Sequence, residues 1–362
     1  MSDWGWHQFP NSKSLTPAET EKSFNFGHGH QEVYAIEYKK AEDGRHKEAT
    51  EFFRVNPHRL NLGAIGLQLT NVHGKPISQN QLTQIRQEQK LLDGEIESSF
   101  WVDGQKVEVT TGVHPTKDAL YARIVSKLLK DQRATIHMRF PYPTGKHADD
   151  ASNWNQPAKH QSEIIEQGEQ KALIKRTLDA TTYYVLLQWE GQAMLDRCDT
   201  HDFELTADDE VLTVSAEYLP QPSEAENFEY DQYHKATLRH WNSWWNTGAM
   251  VDFSQCTDPR AKELERRVIL SQYLTQINCA NNMPPQETGL TYNSWFGRPH
   301  LEMTWISHII SHSSWPIGSM DSRLLTSGAH AREKPAMPSG TISLPNYPPC
   351  QKKTIFIQPV FQ

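Results

Sequence analysis

The sequence predicts an α+β, multidomain protein in which a large N-terminal antiparallel β-sandwich is followed by helices. Three observations carry this prediction. From about residue 31 to 219, apolar residues alternate with polar ones at period two, in runs rich in β-branched and aromatic side chains and separated by Gly, Asp, Asn and Pro. No helical crossover interrupts these runs, which argues against a parallel sheet. After Pro222 the period changes to that of amphipathic helices. With 362 residues the chain exceeds the size at which one core usually stops growing, so more than one domain is expected.

In order along the chain, the predicted strands cover residues 32–38, 98–111 with a turn at Asp103-Gly104, 120–128, 134–140, 172–177, 181–188 and 210–216. One long insert, residues 140–162, breaks the pattern. Its Tyr142, His147, Asp149, Asp150 and Trp154 suit a loop reaching over a ligand, and equally a solvated excursion. Residues 224–245 carry Phe228, Tyr233, Leu238, Trp241, Trp244 and Trp245 as a wide stripe for packing on another layer. Thr257-Asp258-Pro259 is a helix-start signal. The helix it opens, 260–281, is expected to bury Leu264, Val268, Leu270, Tyr273, Leu274, Ile277 and Ala280, and Met283-Pro284-Pro285 ends it. A further helix is expected from about His300 to Ser314. Residues 316–362 hold seven of the 21 prolines and only two acidic residues, with no sustained period. The expected domains are therefore 1–221 (sandwich), 222–256 (linker helix), 257–315 (start of a helical domain) and 316–362 (an atypical tail, the product of truncation or a frame change).

A net charge of −8, with scattered lysines and arginines, argues against a nucleic-acid partner. No apolar run approaches the roughly 20 residues of a membrane span, and the N-terminus lacks a signal-peptide pattern, so the chain is expected to be soluble, without a membrane partner. The four cysteines show no CxxC spacing. Eleven tryptophans, several in polar surroundings, fit core filling, but also sugar binding, where an aromatic face stacks on the C–H face of a pyranose.

Such a mixture is densest in GLTYNSWFGRPHLEMTW, residues 289–305. Glu302 can accept two sugar hydroxyls, Arg298 and His300 can donate, and Trp295 and Phe296 offer a stacking face. Tyr292 and Trp305 are second candidates. Structural roles compete: an exposed acid at a helix start for Glu302, ordinary core for Trp295. His308 and His312 share an i,i+4 spacing without the glutamate of an HExxH motif, so no metal and no cofactor is expected.

The order of sandwich, linker helix, amphipathic helix and aromatic loop resembles the (α/α)6-barrel, or six-hairpin, glycoside hydrolases, above all those like glycoside hydrolase family 65. That family carries Gly-Leu-Thr, five residues, a Gly, four residues and then an Asp, within Phe-Trp-Asp, that contacts the sugar. Here Gly289-Leu290-Thr291 is followed at the same spacings by Gly297 and Glu302, with His300-Leu301-Glu302 in place of Phe-Trp-Asp. The segments DWGWHQFPN, PYPTGKH, DPRAKELERRVILSQYL and PPQETGLTYNSWFG resemble uncharacterised six-hairpin glycosidase-like proteins still more closely, and the resemblance spans roughly residues 1–305. It implies the first helices of an (α/α)6 barrel, and a glycoside hydrolase or phosphorylase acting on an oligo- or polysaccharide. It also implies a general acid on a later barrel helix, for which this chain has no counterpart. Two alternatives stay open: a non-catalytic carbohydrate-binding fragment, and a polysaccharide lyase with Tyr292 or His300 as base. Oligomeric state is not indicated.

Overall fold

The computed structural model describes residues 4–36, 38–41, 44–223, 227–247, 251–279, 286–288 and 292–299. Its elements begin with β1 (Trp6–His7), the hairpin β2 (Glu21–Gly27) and β3 (His30–Ala35), helix α1 (Arg45–Val55), and β4 (His58–Arg59). Strands β5 (Ala64–Leu69), β6 (Thr83–Lys90), β7 (Glu95–Val102), β8 (Gln105–Val113) and β9 (Ala119–Val125) follow. After a short helix α2 (Lys127–Lys130) come β10 (Ala134–Arg139), β11 (His160–Gln167), β12 (Lys171–Leu178), β13 (Thr181–Glu190), β14 (Ala193–Asp199), β15 (Asp202–Ala207) and β16 (Val211–Leu219). Helices α3 (Tyr230–Thr247) and α4 (Ala261–Cys279) follow.

The fold is the expected antiparallel sandwich. An eight-stranded sheet in the order β11-β12-β13-β16-β9-β8-β7-β6 packs against a four-stranded sheet, β14-β15-β10-β5. Ile174, Val185, Leu187 and Val214 of the larger sheet interleave with Ile65, Ile136, Met138, Phe203 and Leu205 of the smaller. Period two is visible in β9, where Leu120, Ala122 and Ile124 enter this core while Ala119 and Tyr121 point the other way, onto Phe228 and Tyr233. At the turn between β7 and β8, Asp103 and Gly104 have φ of 46° and 76°, the left-handed pair that a two-residue hairpin needs.

Helix α3 covers the outer face of the larger sheet with the predicted stripe. Tyr233, Trp241, Trp244 and Trp245 are buried, and the three indoles cluster with Tyr273 of α4. A buried carboxylate fixes the docking: Glu95 Oε1 accepts from Tyr121 Oη at 2.6 Å and lies 2.7 Å from His234 Nδ1. Gly94, at φ +75°, leaves the space that Trp241 fills, since a Cβ there would sit 1.9 Å from the indole nitrogen.

Three expectations need correction. Helix α1 interrupts the region read as strands throughout. Its sequence, RHKEATEFFRV, has no β-branched run before Val55 and buries Ala49 and Thr50 on one side. It stops before Asn56-Pro57, because a residue preceding proline is disfavoured in α conformation. The strand expected over 32–38 ends at Ala35. In α4 the inward side carries Ala261, Gln272, Tyr273 and Gln276, while Leu264 and Leu274 are exposed. Ring contact between Tyr273 and Trp241, 4.8 Å between centroids, sets the rotation of that helix rather than its full apolar stripe. Its start is as expected, with Asp258 Oδ1 accepting from Arg260 N at 2.8 Å.

Candidate functional site

The floor of the candidate site comes from the N-terminal motif and β4. On the β1–β4 ladder Trp6 pairs with Arg59 and His7 with His58, and the Arg59 guanidinium lies 4.3 Å from the Trp6 ring. The rings of His7, Phe9, His58 and Tyr142 pack together at 4.6–6.2 Å. Polar atoms of this cluster converge on Asp179, whose Oδ2 accepts from Tyr142 Oη at 2.7 Å and lies 3.1 Å from His7 Nε2. Burial lowers the His7 pKa against the opposing pull of Asp179. Burial, and then the neighbouring His7, push His58 down to about 4, so its ring is neutral at neutral pH.

Above this floor lies the long loop between β10 and β11. Arg176 of β12, fully buried, ties both of its ends. Its guanidinium donates to Pro141 O at 3.4 Å at the entry, and to Gln161 O at 2.7 Å at the exit. It also donates to Ser162 Oγ and lies 2.7 Å from His160 Nδ1. With Tyr183 Oη and His201 Nδ1, each at 3.4 Å, these make six partners, none of them a carboxylate. His201 completes the anchor by stacking on His160 at 3.6 Å and placing Nε2 2.8 Å from Pro157 O. Burial, and then the charge of Arg176, push His160 down to about 3. Further along, Gly145 at φ +64° packs on Phe9, where a Cβ would come within 2.4 Å of the ring.

The loop tip holds the aromatic segment, 292–299. Asn293 N donates to Asp149 O at 2.8 Å and Phe296 N to His147 O at 3.1 Å. From the floor, Arg59 Nε donates to Gly297 O at 3.3 Å, and Asn293 Nδ2 to Arg59 O at 3.4 Å. Arg298 turns back onto the end of α1, donating to Pro57 O at 3.1 Å and Phe53 O at 3.3 Å. Burial and the nearby Arg54 charge lower its pKa. Between these tethers Trp295, Phe296 and Gly297 are successively left-handed, with φ of 49°, 61° and 71°. Such backbone costs about 1–3 kcal/mol per non-glycine residue, and the tethers maintain it. Phe296 is consequently buried, whereas Trp295 stays 46 % exposed, its ring 4.7 Å from His147 and 5.7 Å from the Arg54 guanidinium. Tyr292 is 49 % exposed. Asn293 Oδ1 and Ser294 Oγ are buried without a hydrogen-bond partner among the described residues.

Of the residues singled out from sequence, the structure brings Tyr292, Trp295 and Arg298 into one segment. Arg298 uses two of its five N–H donors on carbonyls and so also clamps the segment to the end of α1. His300, Glu302 and Trp305, the histidines at 308 and 312, the helix expected over 300–314 and the tail 316–362 lie outside the described residues. Sequence reasoning found His147 and Asp149 as loop residues but missed Arg54, Arg59 and Asn293, which no short-range pattern connects. The arrangement places an exposed aromatic ring beside an imidazole and a guanidinium. Asp149 and Asp150 use Oδ1 to close their own turns, on Ala151 N and Ser152 N. Among the described residues no group of three or more His, Cys, Asp or Glu side chains is placed to hold a metal ion. Nor is any described helix long and apolar enough to cross a membrane.

No protein-family profile matches the chain, and no curated protein matches it. Among solved structures it is similar to a protein described as a kojibiose phosphorylase from human microbiome. The two are 8 % identical, with a TM-score of 0.41 over 63 % of this chain. The match covers 34 % of that protein, so the chain spans about a third of its length.

Proposed function

We propose that the chain is the sugar-recognising part of a glycosidase-type protein, and that the segment 292–298 contacts an oligo- or polysaccharide. The observation that carries this reading is the left-handed turn at which Trp295 stays 46 % exposed. Ordinary core packing would turn that ring inward without straining the backbone. A fixed indole face stacks on the apolar face of a pyranose, while His147 and Arg54 lie within reach of its hydroxyls. The buried, unpartnered Asn293 Oδ1 and Ser294 Oγ add support, because such atoms cost about 1–3 kcal/mol each and gather where a site needs them. The resemblance of GLTYNSWFG to the sugar-contacting loop of six-hairpin glycosidases points the same way. The division into a sandwich (1–221), a linker helix (222–256) and the opening of a helical domain (257–315) belongs to the same proposal, as do His300, Glu302 and Trp305 as further sugar contacts.

Calorimetric titration with a panel of α- and β-linked oligosaccharides tests it. At least one should bind, with a loss of tenfold or more in Trp295→Ala and little change in Trp154→Ala. Absence of binding across the panel, or binding indifferent to Trp295, rejects the reading.

A further inference from the structure

Two apolar features of the sandwich domain lack partners among the described residues. The first is the hairpin of β2 and β3. It forms a two-stranded sheet of its own, and every residue of both strands is exposed. Isolated hairpins are marginal in water. This one nevertheless presents Phe24 (37 % exposed), Phe26 (59 %) and Tyr34 (54 %) on a single face, with Tyr34 about 6.2 Å from each phenylalanine.

The second feature is a cleft of about 490 Å³ where the sandwich stays open. The four-stranded sheet ends at β5, while the larger sheet continues past it through β8, β7 and β6. Ile85, exposed, and Leu67, Phe100 and Val109, only partly buried, therefore line a cleft at the rim of the core. No described strand pairs with the outer edge of β5 over residues 64–68. Gly66, on that edge, has open space around it. An unpaired strand edge above an apolar floor accepts another strand, with main-chain pairing for affinity and alternate side chains filling the floor.

We propose that two copies of this chain exchange these elements. The hairpin of one copy lies along β5 of the other and places Phe24, Phe26 and Tyr34 in the cleft. Reciprocity follows from area. Three half-exposed aromatic side chains of about 200 Å² bury about 600 Å² in one arm-and-cleft contact, counted on both partners, which is the size of a lattice contact. A two-fold pair of such contacts reaches about 1,200 Å², the lower bound of a stable interface.

Light scattering on the full chain across micromolar concentrations, with hydrogen exchange at β5, decides it. The chain should be a dimer whose β5 amides gain protection as concentration rises. The double substitution Phe24→Ser and Phe26→Ser, and separately Ile85→Lys at the 46 % exposed cleft mouth, should each weaken the dimer by about 100-fold. Both sites are exposed, and an unchanged circular dichroism spectrum confirms that the variants fold. A chain that stays monomeric overturns the proposal, including a monomer whose β5 amides are already protected by its own residues. So does a dimer that survives both variants, or is lost with only one of them.

Discussion

The sandwich and the aromatic segment at 292–298 are stabilised in opposite ways. In the sandwich, side chains such as Val185, Leu187 and Phe203 are almost wholly buried, and the backbone is satisfied by regular ladders. Stability there scales with apolar area. The aromatic segment has three consecutive left-handed residues, an exposed indole and two buried polar atoms unpaired among the described residues, held by two hydrogen bonds each to the loop tip, β4 and the end of α1. A region stable by its own packing gains nothing from such strain. In the proposed function the strain serves to hold a ring against solvent.

The largest expected effect joins the two regions. Arg176→Leu fills the sandwich position but leaves Pro141 O, Gln161 O and the Ser162 hydroxyl without their donor. About 3 kcal/mol of stability should be lost in urea unfolding. Hydrogen exchange should speed up in the loop and in 293–297 together. If only the loop responds, the two are not mechanically joined.

Gly297→Ala should act on the segment alone. The φ of +71° and a Cβ 2.5 Å from Arg59 Cβ leave no room for a methyl group. About 2–3 kcal/mol of local stability should go. It should appear as faster exchange at Asn293 and Phe296, with the midpoint of sandwich unfolding almost unchanged.

Acid should loosen both regions through different histidines. The folded-state pKa values of His58 and His160, about 4 and about 3, lie below the value of 6.5 expected in the unfolded chain. Each therefore contributes stability that is whole above pH 6.5. It declines by up to about 1.4 kcal/mol per pH unit as pH falls toward the folded value. Urea unfolding at pH 7 and pH 5 should show the loss, and His160→Asn and His58→Asn should each flatten part of it. A pH-independent midpoint contradicts the assignment.

Trp295→Ala should be the mildest for stability, below about 1 kcal/mol by thermal melting, because half of the ring is already in solvent. A large loss would make Trp295 a packing residue.

How much was legible in the sequence follows the same division. Alternation in β10, β12, β13 and β16, the Asp103-Gly104 turn and the Trp241-Trp244-Trp245 stripe are local patterns, and they folded as predicted. Helix α1 was missed because eleven helical residues lie among strands and bury only a narrow side. For the site, the aromatic segment and the loop were each visible as compositions. Their union was not, since Asn293 meets Asp149 and Arg298 meets Pro57 across more than 140 residues of chain. Arg298 is an example: its type suggests a sugar donor, and its carbonyl partners add a second role, as a clamp, that the sequence does not show. Arg176 gave no signal at all, being one arginine in an ordinary strand.

The central claim is that the left-handed turn holds Trp295 ready for a saccharide, and the indole N–H resonance of that residue reports on it most directly. In a protein labelled with ¹⁵N at tryptophan, the signal is assigned as the one missing from Trp295→Phe. On titration with an oligosaccharide that binds, it should shift progressively and saturate with the calorimetric isotherm, while the signals of the buried Trp241, Trp244 and Trp245 stay in place. Saturable binding with the Trp295 signal unmoved would contradict the claim.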